Sequence, residues 1–211
     1  GQTGPYRNFK AYHLNSFHGG GQGYIMPVEP ELVHRGPLAG GGYTGEYDSG
    51  LMAAVGTLGA LMARNLTGEG QLVDVSKQEA IAAMERVDIV KYPNDGVVWG
   101  RFIRRFMVGG LLPCKDGYVN LLTPEEHQWQ NVADLMGNPD WTEDERCTNE
   151  FTRADHAAEL TELVAQWSKN FTKKELYRNG QAKSCPIGIV TTTEYLFHDE
   201  QLRERGFFTQ I

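Results

Sequence analysis

SGLMAAVGTLGALMAR, residues 49–64, sets Leu51, Met52, Val55, Leu58, Leu61 and Met62 at helical spacing, with Asp48 or Ser49 ahead of it as N-cap. The spacing predicts a buried helix. Gly56 and Gly59 each lower its intrinsic helicity by up to about 1 kcal/mol against alanine, so their expected role is close approach of another backbone. Thr67-Gly68-Glu69-Gly70 then reads as a turn, residues 71–75 (QLVDV) as a short strand, and residues 76–92 as a second helix. This αβα rhythm belongs to an α/β fold. Upstream, residues 1–45 are crowded with glycine, proline and aromatics, including Gly19-Gly20-Gly21 and Gly40-Gly41-Gly42, and read as loop carried by a scaffold.

Downstream, the aromatic and basic run YPNDGVVWGRFIRRFMVGG ends at Gly110 and separates this part from a second block. That block holds a turn at Lys115-Asp116-Gly117, a strand over 118–122 and a helix over 124–136 ended by Gly137. Helical patterns follow at 153–168 and 172–179, the latter stopped by Gly180. A strand over 187–191 and a helix over 193–205 complete a small α+β domain. The chain opens on GQTGP without an initiator methionine and stops at FFTQI, so both ends read as interior to a larger protein.

The 211 residues are 40% hydrophobic and 10% aromatic, enough to bury a core, and the formal charge is -7. An acidic chain argues against a general nucleic-acid or anionic-membrane surface, while a local basic cluster can still hold a phosphorylated ligand. Cys114, Cys147 and Cys185 are widely spaced and odd in number, which fits reduced thiols of a cytoplasmic protein. No run approaches the roughly 18 apolar residues of a membrane span, and no basic segment precedes an apolar one as in a signal peptide.

The candidate chemistry lies at Gly45-Glu46-Tyr47-Asp48-Ser49-Gly50, where two carboxylates stand at the mouth of a helix directly after a glycine-rich loop. Helix N-termini attract anions and glycines let a ligand come close. The same residues also read as an N-cap aspartate with a solvated glutamate beside it. Arg101, Arg104 and Arg105 with Trp99, Phe102 and Phe106 form a basic-aromatic cluster that suits an acyl chain, a nucleotide or a linker packed on its own protein. His18, His34, His127, His156 and His198 show no metal-ligand spacing.

Residues 44–80, TGEYDSGLMAAVGTLGALMARNLTGEGQLVDVSKQEA, resemble the segment of family III CoA-transferases that carries the catalytic carboxylate. This superfamily includes formyl-CoA transferases, carnitine CoA-transferases and α-methylacyl-CoA racemases. GQTGPYRNFKAY upstream resembles its glycine-proline turn and CoA-contacting stretch. CKDGYVNLL, the Glu126-x-x-Trp129 pattern leading to Gly137, CPIGIVTT and DEQLRERGFF resemble its small-domain landmarks in the right order. The resemblance implies that residues 1–92 are the C-terminal part of a large Rossmann-like domain. It makes 93–110 a linker with a glycine loop, 111–200 the small α+β domain and 201–211 the start of a return linker. It also implies an interlocked homodimer with no permanently bound cofactor and no metal, the coenzyme A thioester and a free carboxylic acid being the substrates.

Position by position, the family's nucleophilic aspartate falls on Glu46, a carboxylate on a stem one methylene longer, with Asp48 as the alternative and otherwise a helix cap. Lys10, Ala11, Tyr12 and His13 fall on the CoA-binding stretch, where a lysine pairs with phosphate. Gly109 and Gly110 resemble part of the mobile glycine loop, and Lys77 and Arg104 fall near the lining of the active site. Racemases of the superfamily carry an acid/base histidine at the place of Tyr12, and His13 is off that register by one, which ranks CoA transfer above α-proton exchange. An acyl-CoA racemase or hydrolase on the same fold stays as the alternative, and a glutamate in place of aspartate also leaves open a non-catalytic subunit of a heteromeric transferase.

Overall fold

The structure, a computed structural model, describes residues 1–27, 32, 34–98, 100 and 107–209, with only the backbone of Arg86 and Val87. Two units, Gly1–Arg104 and Arg105–Ile211, divide it.

The first unit is helical. Its elements are α1 (His13–Gly19), a 3-10 turn (Gln22–Ile25), α2 (Thr44–Thr67), α3 (Lys77–Met84) and α4 (Arg86–Asp95). The loop expected over 1–45 therefore contains a helix, begun where Asn15 Oδ1 accepts a hydrogen bond from the Tyr12 amide at 3.1 Å. α2 begins at Thr44, not at residue 49, because the amides of Glu46 and Tyr47 both bond to the Tyr43 carbonyl, at 3.1 and 3.0 Å. Tyr43 is the N-cap, so the expectation of Asp48 or Ser49 as cap is corrected: both lie inside the helix, and the Ser49 hydroxyl donates back to the Gly45 carbonyl at 2.6 Å. Gly68, at φ 78°, closes the other end by donating to the Arg64 carbonyl.

The expectation that α2 is buried is also corrected. Leu51, Val55, Leu58 and Met62, spaced as one stripe, are each more than 60% exposed, since no described residue covers them. The expected close approach at the two glycines is met at one of them: a Cβ on Gly56 would stand 2.9 Å from Val73 Cγ1, a side chain, whereas Gly59 faces open space. The strand expected over 71–75 has no ladder partner among the described residues, and this segment is tied down where Asp74 Oδ2 accepts from the Gln2 amide at 2.9 Å. The helix expected over 76–92 is two, interrupted at Glu85 (φ -83°, ψ 40°), and starts at a Ser76 cap that accepts from the Glu79 amide.

The second unit is built on an antiparallel sheet in the order β1 (Gly110–Cys114), β2 (Gly117–Leu121), β3 (Ile187–Ile189). Leu112 pairs with Val119, and Leu121 with both Gly110 and Ile187, so one face of the pleat points into the core. Pro113 is tolerated because β1 is an edge strand. Onto that face pack α5 (Glu126–Leu135), α7 (Ala157–Ser168) and α8 (Lys173–Ala182) through Trp129, Val132, Leu160, Val164 and Leu176.

The helix expected over 153–168 is divided at His156, with α6 (Glu150–Asp155) before it. That over 193–205 is divided at Asp199 into α9 (Thr193–His198) and α10 (Glu200–Glu204), Asp199 capping the second through the Leu202 amide. Gly180 does not stop α8 but lies within it, where a Cβ would meet Ile187 Cδ1 at 2.6 Å. Cys147 and Cys185 are buried in this core; burial pushes the Cys147 thiol up to about 11 and raises Cys185 as well. Among the described residues, no helix is long and apolar enough to cross a membrane.

Candidate active site

Three helices of the first unit meet at one side chain. Ile81 of α3 is fully buried, and two glycines make room for it: a Cβ on Gly20, just past α1, would stand 2.5 Å from its Cγ2, and one on Gly45, in the first turn of α2, 2.6 Å from its Cδ1. Gln78 adds a tie, its amide nitrogen donating to the Gly19 carbonyl at 2.9 Å. Residues four apart share a helix face, so this junction carries Lys77, one turn before Ile81, toward the residue that follows Gly45.

That residue is Glu46. Its Oε1 accepts from Lys77 Nζ at 3.3 Å and its Oε2 lies 2.5 Å from His13 Nδ1. His13 opens α1, with Phe17 one turn on and Gly20 two turns on, the i, i+4, i+7 face that turns inward. Its ring sits against Phe17 and edge-on to Tyr43. The Glu46 side chain is 28% exposed, open enough to meet a ligand. Partial burial pulls its pKa upward, but the hydrogen bonds from His13 and Lys77 outweigh that and hold it below the usual glutamate range. The helix start around it favours the anion too.

An ionised carboxylate only accepts, so His13 Nδ1 carries the proton of the shared bond. The other ring nitrogen, Nε2, is buried without a hydrogen-bond partner among the described residues. The arrangement can present a charged carboxylate nucleophile with one oxygen on a sheltered imidazole and the other on an exposed ammonium.

The remaining sequence candidates are placed as follows. Asp48 is half-buried one turn into α2. Lys10, Ala11 and Tyr12 form an exposed run leading into α1, Tyr12 being 79% exposed. Gly109 and Gly110 stand in the second unit at the start of β1. A Cβ on Gly109 would meet the Leu121 carbonyl oxygen at 2.4 Å, and its amide donates to Thr161 Oγ1. Arg104, with Arg101, Arg105, Trp99, Phe102 and Phe106, lies outside the described residues. Sequence reasoning assigned His13 to the CoA-binding stretch and missed its contact with Glu46; the His13, Phe17, Gly20 spacing was the available signal.

The formyl-CoA:oxalate CoA-transferase of Streptomyces avermitilis is 27% identical over 94% of this chain and 52% of its own length. The succinyl-CoA–D-citramalate CoA-transferase of Chloroflexus aurantiacus is 28% identical over 94% of the chain and 50% of its own. The chain thus spans about half the length of these relatives. Among solved structures, a CAIB/BAIF family protein from Brucella suis superposes with a TM-score of 0.82 at 24% identity, covering 98% of this chain and 54% of that one. A hypothetical protein from Mycobacterium tuberculosis gives 0.80 at 21% identity, covering 98% and 55%. These likenesses establish the α/β fold. The sequence profile of CoA-transferase family III matches residues 1–211 throughout, and the chain belongs to that family.

Proposed function

We propose that the whole protein moves coenzyme A from an acyl-CoA to a free carboxylic acid, with Glu46 as the nucleophile. The observation that supports this reading is the Glu46 carboxylate itself, partly exposed and kept ionised between His13 and Lys77. A Glu46 oxygen attacks the thioester carbonyl, the C–S bond breaks, and CoA leaves as the thiolate, giving a mixed anhydride. The thiolate attacks the Glu46 side of the anhydride and releases the first acid, which leaves CoA as a thioester on Glu46. The acceptor carboxylate attacks that thioester, and the same steps run backward to the new acyl-CoA. Carboxylates and the thiolate supply every nucleophile, so the cycle uses no metal or resident cofactor, and CoA thioesters enter as substrates. Lys10 to His13 hold the CoA moiety.

The protein works as an interlocked homodimer, a reading supported by the uncovered apolar stripe of α2. The same proposal locates it in the cytoplasm, a reading supported by three free cysteines. The test uses the product of the complete gene, a panel of acyl-CoA donors and acids, and Glu46→Gln. Transfer in the wild type, an acyl or CoA adduct trapped on Glu46 by hydroxylamine, and loss of both in the variant are expected. Transfer that survives Glu46→Gln moves the role to Asp48, and acyl-CoA binding with neither transfer nor adduct indicates a silent subunit.

One observation favours a second reading. The direct His13–Glu46 contact suits an acid/base pair that exchanges the α-proton of an acyl-CoA. Deuterium from heavy water would then appear at the α-carbon without any acceptor acid.

A further inference from the structure

The two partners of Glu46 differ in kind. His13 is 16% exposed, wedged among aromatic rings, and bonded at 2.5 Å. Lys77 is 47% exposed, bonded at 3.3 Å, and reaches Glu46 on a flexible stem from the first position of α3. Lys77, the more exposed and more loosely bonded of the two, is the partner that can leave, and its departure frees the Glu46 oxygen it holds.

If Glu46 is the transfer nucleophile, on which this inference rests, each covalent state removes its negative charge. In the anhydride the carboxylate oxygen is acylated, and in the thioester it has been replaced by sulfur. The Lys77 ammonium takes no part in either step and so loses its counter-charge whenever a reaction intermediate forms. A monocarboxylic acyl group brings nothing to replace it. An acyl group with a second, free carboxylate does, and the replacement occurs only after Glu46 has reacted, which stabilises intermediates over the free enzyme.

We propose that Lys77 is a specificity-determining residue that selects dicarboxylic acids, one carboxylate reacting at Glu46 and the other pairing with the ammonium that Glu46 releases. Asp74, the nearest acidic residue before Lys77 in the chain, is held by the Gln2 amide, and Glu79 sits in the first turn of α3 behind the Ser76 cap. Neither contacts the ammonium, which leaves Glu46 as its resident partner among the described residues.

The experiment measures kcat/KM of the complete gene product for two acceptors of equal chain length, butanedioate and butanoate, in wild type, Lys77→Gln and Lys77→Arg. The wild type is expected to prefer the dicarboxylate. Lys77→Gln should lower the ratio of the two kcat/KM values by about tenfold or more, the scale of a lost charge-assisted hydrogen bond, whatever loss the two acceptors share, and Lys77→Arg should restore most of it. An unchanged ratio in Lys77→Gln overturns the inference, and so does an equal loss on both acceptors, since Lys77 would then serve Glu46 alone. Hydroxylamine trapping separates the two levels: an adduct on Glu46 with no change of ratio sinks only the role of Lys77, while no adduct and no transfer to either acceptor sinks the transfer reading with it.

Discussion

Ile81 packs against Gly45 so closely that a methyl group there would stand 2.6 Å from its Cδ1, and Gly45 is the residue before Glu46. Because Ile81 is fully buried, it has little room to yield. Gly45→Ala is expected to destabilise the protein by about 1–3 kcal/mol, the range for overpacking. Ile81→Val, which deletes the clashing methyl, should recover part of that loss in the double variant, read from thermal unfolding of all four proteins. Strictly additive losses would contradict the contact.

The pH dependence follows from the donors on Glu46. Its carboxyl sits below the ordinary range because His13 and Lys77 outweigh the upward pull of burial. Activity that needs the anion is therefore lost only as pH falls through that depressed value. His13→Ala removes one donor and should move the acid limb of the kcat/KM profile to higher pH; a limb that stays in place would show that the imidazole does not set the charge state.

In the second unit, Arg153 is buried with its guanidinium 5.3 Å from the Trp129 ring centroid, donating to the Cys147 carbonyl at 3.0 Å and to Glu126. Glu126 is the more exposed partner, yet Glu126→Ala should cost more than Arg153→Met. The first leaves a cation buried without its anion, about 3 kcal/mol at the lower end; the second removes the charge and keeps much of the apolar stem. Chemical denaturation of the two variants would expose the reverse order.

Thiol reactivity is expected to be graded. Burial raises the pKa of all three thiols, but Cys147 and Cys185 are buried whereas Cys114 on β1 is half-buried and open to reagent. Brief iodoacetamide treatment of the native protein followed by peptide mass analysis should find label at Cys114 first. Early label at Cys147 would contradict the packing of the core around Trp141.

Much of the second unit was legible because pattern and punctuation agree there. Thr172 begins α8 with a capping box to Glu175, and Gly137, at φ 84°, follows the α5 helix. The breaks at Glu85 and His156 were not legible, since neither site carries glycine or proline, whereas Asp199 is a capping residue type and could have been read. Gly180 misled because a glycine required for packing looks the same in sequence as one that ends a helix. The stripe on α2 shows the limit of periodicity: spacing identifies a helix face but not what covers it. Glu46 stood out as a candidate through its local motif. The company it keeps did not, because tertiary packing brings His13 and Lys77 to it from 33 and 31 residues away.

That long reach makes Glu46 a sensor of its own folding. A partly structured chain can form α2, but it cannot hold the carboxylate between an imidazole and an ammonium drawn from two other helices. Under the transfer reading, newly made or damaged copies of the protein would stay chemically quiet toward thioesters until Ile81 has seated between Gly20 and Gly45.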